Sequence, residues 1–514
     1  MSTIRLLIGS SGAPRAFITA AVVYLLTWIL VPPLIITSLP LDVVEGISWG
    51  RDWQWGYYKH PPFPSWVLSV FYGAFGNVGP YLLSQLCIVL ALWLVWLTGC
   101  RLTSPERSFL GVVLTMGVVH YSRSTVEFNH NVAQIPVWAA LGYCLLAALQ
   151  DGRRWQWLLL GVVAGIGMLT KYSVGFLLLC QALYLVLSSE RRVFLKPGPW
   201  LALGAMLVVL APHVYWLWQS NWLPMEYVGA RASGEQTHTR MEVLIFPAVQ
   251  VLNHFPLILI VSGALLLTRR ARKSLPAKRA DWRLSVERPG YLLTIGLGPC
   301  LVVTLLGVLA SLRVYDMWGT PMWVFSGLLV VAWLPQAWLA PLRPKLLAGL
   351  LIWLLVVSVV SGVYLAYSAQ WRDRPARTDW PMAALAEKAD TSWNKVASCR
   401  FRTVGGDDWL AGLIVADSSA RPSLLIEGDP RYSPWVTLEN LKTNGLLWVW
   451  QEGEAGQSTP PAPPELLNKL PVDADMRKFE GEWQLTWPFN PARTPLTVHW
   501  RAYVPEGCVR AGVS

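Results

Sequence analysis

Charge is scarce in this chain. Only 14% of its 514 residues are Asp, Glu, Lys or Arg, against about 25% in an average soluble domain, which argues against a single soluble enzyme body. Acids are the scarcer sign, 31 against 42 Lys and Arg, for a formal charge of +11. An excess of that sign fits nucleic acid or a membrane surface, and its distribution between long apolar runs decides for membrane. No Gly-rich phosphate loop or Walker signature is present, which removes the usual nucleotide-binding motif. No internal repeat is visible, which argues against the repeat-built transporters. Cysteine is sparse. Five of the seven, Cys87, Cys100, Cys144, Cys180 and Cys300, lie in or beside apolar runs, where a thiol serves as a packing residue.

What is abundant is apolar sequence, 54% of the chain at a mean hydropathy of +0.40. A bilayer core of about 30 Å needs about 17–25 apolar residues per spanning helix, and eleven runs qualify or nearly so. They are 17–37, 79–98, 108–121, 131–149, 156–170, 173–189, 199–218, 244–268, 290–310, 319–336 and 346–367. The piece at 64–75 is too short to span and reads as interfacial or re-entrant. Loops on the side of the N-terminus hold 19 Lys and Arg, including the cluster from Arg269 to Arg288, against 7 on the other side. Cytoplasmic loops collect these residues, so the N-terminus is expected inside and the C-terminus outside. The first apolar run is too long for a cleavable signal and lacks a small-residue cleavage site, so it is expected to be retained.

Beyond residue 367 the composition changes. Charges become frequent, turns are expected at Gly405-Gly406 and Gly428-Asp429-Pro430, and no further span follows. Ser423–Ile426 and Leu446–Trp450 read as strands and Met382–Lys388 as a helix start, so the tail, 368–514, is expected to be an independent soluble α/β domain. Residues 1–367 form the membrane domain, with an outer loop at 38–78 that carries interfacial helices. The stretch Gly453–Pro464 reads as a Pro-rich loop inside the tail. Cys399 and Cys508 are the tail's cysteines, and in an oxidising compartment they are expected to pair.

Ionisable residues in or beside spans are costly and mark function by default. The expected topology places Asp42, Glu45, Lys59, His60, Glu127, His130, Lys171, Arg231, Arg313 and Asp316 at the outer face, as one polar site. The first outer loop is the most informative. Asp42 and Glu45 stand three apart after Pro40, on one helix face, where one carboxylate serves as a base and the other orients it. The same pair reads equally as a helix cap with capping-box support. Trp49, Trp53, Trp55, Tyr57 and Tyr58 read as interfacial anchors or as rings that stack on a sugar. Lys59-His60-Pro61-Pro62 sets a cation and an imidazole before a rigid turn. Lys171-Tyr172 follows an apolar run, and its lysine either snorkels or neutralises a phosphate. Arg313 and Asp316 read as a surface ion pair or as site residues. The polar loop around Arg231–Arg240 reads as a lid or a plain connector.

The loop Asp42–Pro62, the step Leu169-Thr170-Lys171-Tyr172, the segment Arg313–Pro321 and the outer tail together resemble bacterial GT-C glycosyltransferases. These are the membrane enzymes grouped with lipid A aminoarabinose transferases, protein O-mannosyltransferases and galacturonosyl transferases of lipopolysaccharide core. The likeness covers most of 17–367 in layout and is motif-specific mainly over 41–66. It implies inverting transfer of one sugar from a polyprenyl-phosphate carrier to a lipid or glycan acceptor, of lipopolysaccharide type, at the periplasmic face of the inner membrane. Asp42 then matches the family's catalytic acid and Glu45 its partner, although Val43-Val44 separates two acids that many relatives have adjacent. Lys59, His60, Lys171 and Arg313 are implied as donor-phosphate cations, and Tyr57, Tyr58, Glu127, His130, Tyr172 and Asp316 as substrate contacts. No cofactor is implied. A divalent metal near Asp42, Glu45 and His60 stays an open alternative without a defined ligand motif. Nucleic acid is not an expected partner. The competing readings are a flippase for a polyprenyl-linked glycan, whose acids would sit at mid-depth, and a polysaccharide ligase or polymerase.

Overall fold

The computed structural model describes residues 12–123, 126–233, 241–271, 284–310, 313–451, 468–470 and 475–512. The Pro-rich stretch 453–464, Arg240 and most of the basic cluster between Arg269 and Arg288 lie outside the described residues. The chain divides into two compact units. One consists of residues 1–31, 59–63 and 81–362, and the other of 32–58, 64–80 and 363–514. The first outer loop up to Tyr58 thus groups with the tail.

The first unit is helical. Among the described residues five helices are long and apolar enough to cross a membrane: Phe63–Leu102, His130–Asp151, Pro197–Gln219, Pro289–Ala310 and Gln336–Trp371. Two bent pairs, Val174–Leu187 with Ser189–Leu195 and Glu242–Asn253 with Phe255–Arg270, raise the number to seven if each pair is one span. Eleven spans were expected, and two of the four runs beyond these seven are broken locally. The run 108–121 breaks into Pro105–Thr115 and Val119–Ser122, the first started by Ser104, whose hydroxyl accepts from the Arg107 N–H (3.3 Å) with proline in the first turn. The run 319–336 begins as a 3₁₀ segment, Asp316–Trp323, containing Pro321, and only then becomes the eight-residue helix Ser326–Trp333. The apolar piece at 64–75 is the helix Phe63–Phe75.

Helix His130–Asp151 is the core of this unit, with 83% of its apolar window buried, whereas Pro197–Gln219 has 17% buried. The latter exposes Leu207, Val208 and Trp218, the all-round apolar surface expected where lipid replaces water as solvent. At the start of the core helix the Asn129 side chain accepts from the N–H groups of Asn131 (2.9 Å) and Val132 (3.1 Å), satisfying two donors that a helix start leaves open.

The second unit contains a five-stranded mixed sheet of β1 (Thr403–Gly406), β2 (Ser423–Ile426), β3 (Leu446–Gln451), β4 (Met476–Leu485) and β5 (Leu496–Pro505), in the order β2-β1-β3-β5-β4. β1 runs parallel to β2 and β3, and β5 antiparallel to β3 and β4. The parallel strands β1 and β2 are buried along nearly their whole length, as strands covered on both faces must be. Leu425, Val436, Leu441, Leu446, Trp448, Met476 and Tyr503 form a core against the sheet. The α/β reading of the tail is correct, and both expected strands are β2 and β3. The turn expected at Gly405-Gly406 is instead the end of β1. Glycine stands at 405 because a Cβ there would lie 2.6 Å from the Trp448 ring on β3. Gly428-Asp429 does form a turn, with the Asp429 N–H on the Ile426 carbonyl (2.9 Å).

The outer-loop helix Leu41–Arg51 belongs to this unit and packs on helix Leu410–Asp417, where a Cβ added at Gly412 would sit 2.8 Å from Val44. Cys399 and Cys508 are both half-buried. The Ser398 N–H donates to the Cys508 carbonyl (2.7 Å), which holds the two cysteines in adjoining segments.

Candidate active site

The helical unit gathers cations and imidazoles from four distant stretches. Lys171 caps the C-terminus of helix Arg154–Thr170, its N–H on the Gly167 carbonyl (3.0 Å), a position where the helix dipole favours a cation. Its Nζ donates to Asn131 Oδ1 (2.6 Å) in the first turn of the core helix, so this lysine does not simply snorkel. One residue earlier the His130 ring stands 4.1 Å from that of His60. Lys59 Nζ lies 5.9 Å from the Tyr227 ring centre, and His60 meets the same ring edge-on. Ser173 donates to Gln134 Oε1 (2.7 Å), and Gln134 Nε2 donates to the His130 carbonyl (3.2 Å). Tyr172 hydroxyl meets His213 Nε2 (3.0 Å), which ties it to a buried imidazole. Glu127 is half-buried, two residues before the Asn129 cap.

A second polar network in the same unit surrounds Asp316. Gln250 Nε2 (2.8 Å) and Asn253 Nδ2 (3.0 Å) both donate to its Oδ1. Gln250 Oε1 accepts from Trp323 Nε1 (3.0 Å) and meets His120 Nε2 (3.1 Å), and His254 Nε2 meets Ser326 Oγ (2.9 Å). The Gln250 amide reaches this position because residue 319 is glycine; a Cβ there would lie 2.1 Å from Gln250 Oε1. Asp316 is held by amides, not by Arg313, which instead lies over the Tyr315 ring (4.7 Å). The expected surface pair is therefore not formed. The sequence reading missed His120, Gln250, Asn253 and His254. Its signal was the spacing 250, 253, 254 on one face of an otherwise apolar helix, overlooked because amides carry no charge.

The second unit holds the acids of the first outer loop. The N-cap of helix Leu41–Arg51 is Pro40, which makes no side-chain cap bond, so the capping-box alternative for Asp42 and Glu45 fails. Asp42 is half-buried in the first turn, and Glu45 is buried one turn on. Tyr57 and Tyr58 were expected to contact substrate. Both are buried instead, with Tyr57 stacked on Trp49 (5.6 Å) and Tyr58 on Tyr432 (4.3 Å). The Tyr58 hydroxyl donates to Asp408. Burial first, then Asp408, Glu45 and Glu427, hold that phenol protonated well above its ordinary range.

Among the described residues no three His, Cys, Asp or Glu side chains gather as a metal-holding group.

Residues 59–216, which contain Lys59, His60, Glu127, His130, Lys171 and Tyr172, match the family of dolichyl-phosphate-mannose-protein mannosyltransferases. The chain is also similar to the lipopolysaccharide core galacturonosyltransferase RgtB of Rhizobium johnstonii, at 22% identity over 84% of this chain and 86% of that one. The chain is a glycosyltransferase. A third of the transferase is 26% identical to the undecaprenyl phosphate-alpha-4-amino-4-deoxy-L-arabinose arabinosyl transferase of Pseudomonas aeruginosa, of which it covers 34%. Its fold matches the crystal structure of ArnT from Cupriavidus metallidurans bound to undecaprenyl phosphate at a TM-score of 0.63, with 13% identity over 95% of this chain and 98% of that one. The transferase is a multi-pass membrane protein.

Proposed function

We propose that this transferase moves a sugar, with inversion, from a polyprenyl-phosphate carrier to a lipid or glycan acceptor of the lipopolysaccharide type, at the periplasmic face of the inner membrane. The observation that carries the reading is the convergence of Lys171, His130, His60 and Lys59 inside the helical unit. A lysine at a helix C-terminus suits an anionic phosphate, because its ammonium is a compact charge that donates to phosphate oxygens. The carrier named on the solved relative and the lipopolysaccharide named on the curated ones support donor and acceptor class.

In the reaction the acceptor hydroxyl oxygen attacks the anomeric carbon, and the bond from that carbon to the phosphate oxygen breaks with its electron pair. Lys171, with Lys59 and His60, stabilises the negative charge that grows on the leaving phosphate. Asp42 accepts the hydroxyl proton and Glu45 orients it. One base and one phosphate clamp suffice for this displacement. No cofactor is assigned a role.

The test compares lipopolysaccharide and glycan masses of a deletion strain with its parent. Loss of one hexose, pentose or uronic acid from a single glycan is the expected result and identifies the sugar. Unchanged glycans with accumulation of a lipid-linked intermediate on one side of the membrane would favour a flippase.

A further inference from the structure

The second unit carries a cleft of about 300 Å³ that the reaction above does not use. Four arginines line it, Arg51, Arg400, Arg402 and Arg421, together with Trp435 and Asn440. They come from the end of the outer-loop helix, the segment entering β1 and the turn before β2, so folding brings them together and local sequence does not.

Arginine on a protein surface is ordinary, and three of these are exposed. Their arrangement is not. Among the described residues none of the four makes an ion pair, whereas Arg372, Arg431, Arg477 and Arg501 of the same unit each meet a carboxylate. Arg51 is half-buried, and its Nε is enclosed without a hydrogen-bond partner. Burial pulls its guanidinium below the ordinary range, Asp52 opposes that, and Arg400 and Arg421 add to it. The neighbouring acid in sequence, Asp52, accepts from Ser423 Oγ (2.9 Å). Arg421 is also held at a φ of +50°, a conformation that L side chains adopt at a cost and that marks sites under functional constraint. Like charges converging on one cleft are costly unless an anion completes them, and planar guanidinium groups fit carboxylate and phosphate oxygens in pairs. The cleft is small, at the lower end of ligand pockets, and Trp435 on its wall offers an indole suited to a sugar face.

We propose that this cleft binds an acidic saccharide, a sugar bearing a carboxylate or a phosphate, and serves as a recognition site for the acceptor glycan. The acceptor role rests on the transferase reading; the binding does not. The test is equilibrium dialysis of the full chain in detergent against radiolabelled glucose 6-phosphate, galacturonate, inorganic phosphate and glucose. The two acidic sugars separate a phosphate from a carboxylate ligand. At least one of them is expected to bind at least tenfold more tightly than glucose and more tightly than inorganic phosphate, and to weaken with salt. The double variant Arg402→Ala/Arg421→Ala, at exposed positions, is expected to lose that binding at least tenfold, while Lys171→Ala keeps it. Four results would overturn the proposal: glucose binding equally well, inorganic phosphate matching both acidic sugars, binding kept by the double arginine variant, or binding lost in Lys171→Ala. An intact cleft in a chain that transfers no sugar would count against the transferase reading alone.

Discussion

The two units hold their candidate and surface charges in different company, although ion pairs occur in both, Arg101 with Asp151 and Arg288 with Glu190 in the helical unit. In the helical unit the Asp316 carboxylate accepts from Gln250 and Asn253, and Lys171 donates to Asn131. In the sheet unit Arg372 grips Asp379 through two bonds of 3.0 and 2.9 Å, and Arg477 and Arg501 meet Glu506 and Glu480. An exposed pair of the second kind contributes little, about 0–1 kcal/mol, and serves solubility more than stability. An amide partner fulfils hydrogen-bond geometry without itself carrying a charge.

The largest stability effect is expected at the tail cysteines. Burial, with the Cys508 thiol beside it, pushes the Cys399 thiol up to about 12. In an oxidising compartment the two are expected to be joined in mass spectra taken without reductant, and Cys508→Ser is expected to cost about 4–5 kcal/mol on the chain-entropy account. Two free thiols in such material would leave the sheet unit without a covalent tie. Next, Lys171→Ala removes a charge-assisted contact of about 1.5–3 kcal/mol, so donor affinity is expected to fall about 10–100-fold. Unchanged affinity would make Lys171 an interfacial lysine like any other.

The smallest expected effect concerns pH. Burial raises the Asp52 carboxyl above its ordinary value, more than its Ser423 bond and Arg51 lower it. The folded chain then keeps this proton to a higher pH than the unfolded chain does, so stability falls as pH rises from the ordinary carboxylate value through the raised one. Asp52→Asn is expected to flatten that slope in thermal unfolding measured between about pH 4 and 7. An identical slope in the variant would assign the dependence to other carboxylates.

Much of the fold was legible. Long apolar runs located the membrane helices because lipid imposes one length and one composition, and alternating or continuous apolar stretches located β2 and β3. What failed were features set by distant partners. The span expected over 319–336 starts as a 3₁₀ segment that contains Pro321 and packs Gly319 on the Gln250 amide, and the Gly405 expected in a turn lies in a strand with the Trp448 ring against it. Tyr57 and Tyr58 resembled sugar-stacking rings; their partners Trp435, Tyr432 and Asp408 lie more than three hundred residues away. Lys171 and His130 were legible as candidates from their isolation in apolar sequence. The amides that hold them were not, since Asn131 and Gln134 carry no charge to attract notice.

Asp42 is the base proposed for the acceptor proton. The most direct measurement is Asp42→Asn, assayed for sugar transfer and for donor binding in the same preparation. Transfer is expected to fall by about 10²–10⁴-fold, the range for loss of a general base, with donor affinity unchanged. An Asp42→Asn variant that inserts, binds donor and turns over at the wild-type rate would contradict the account.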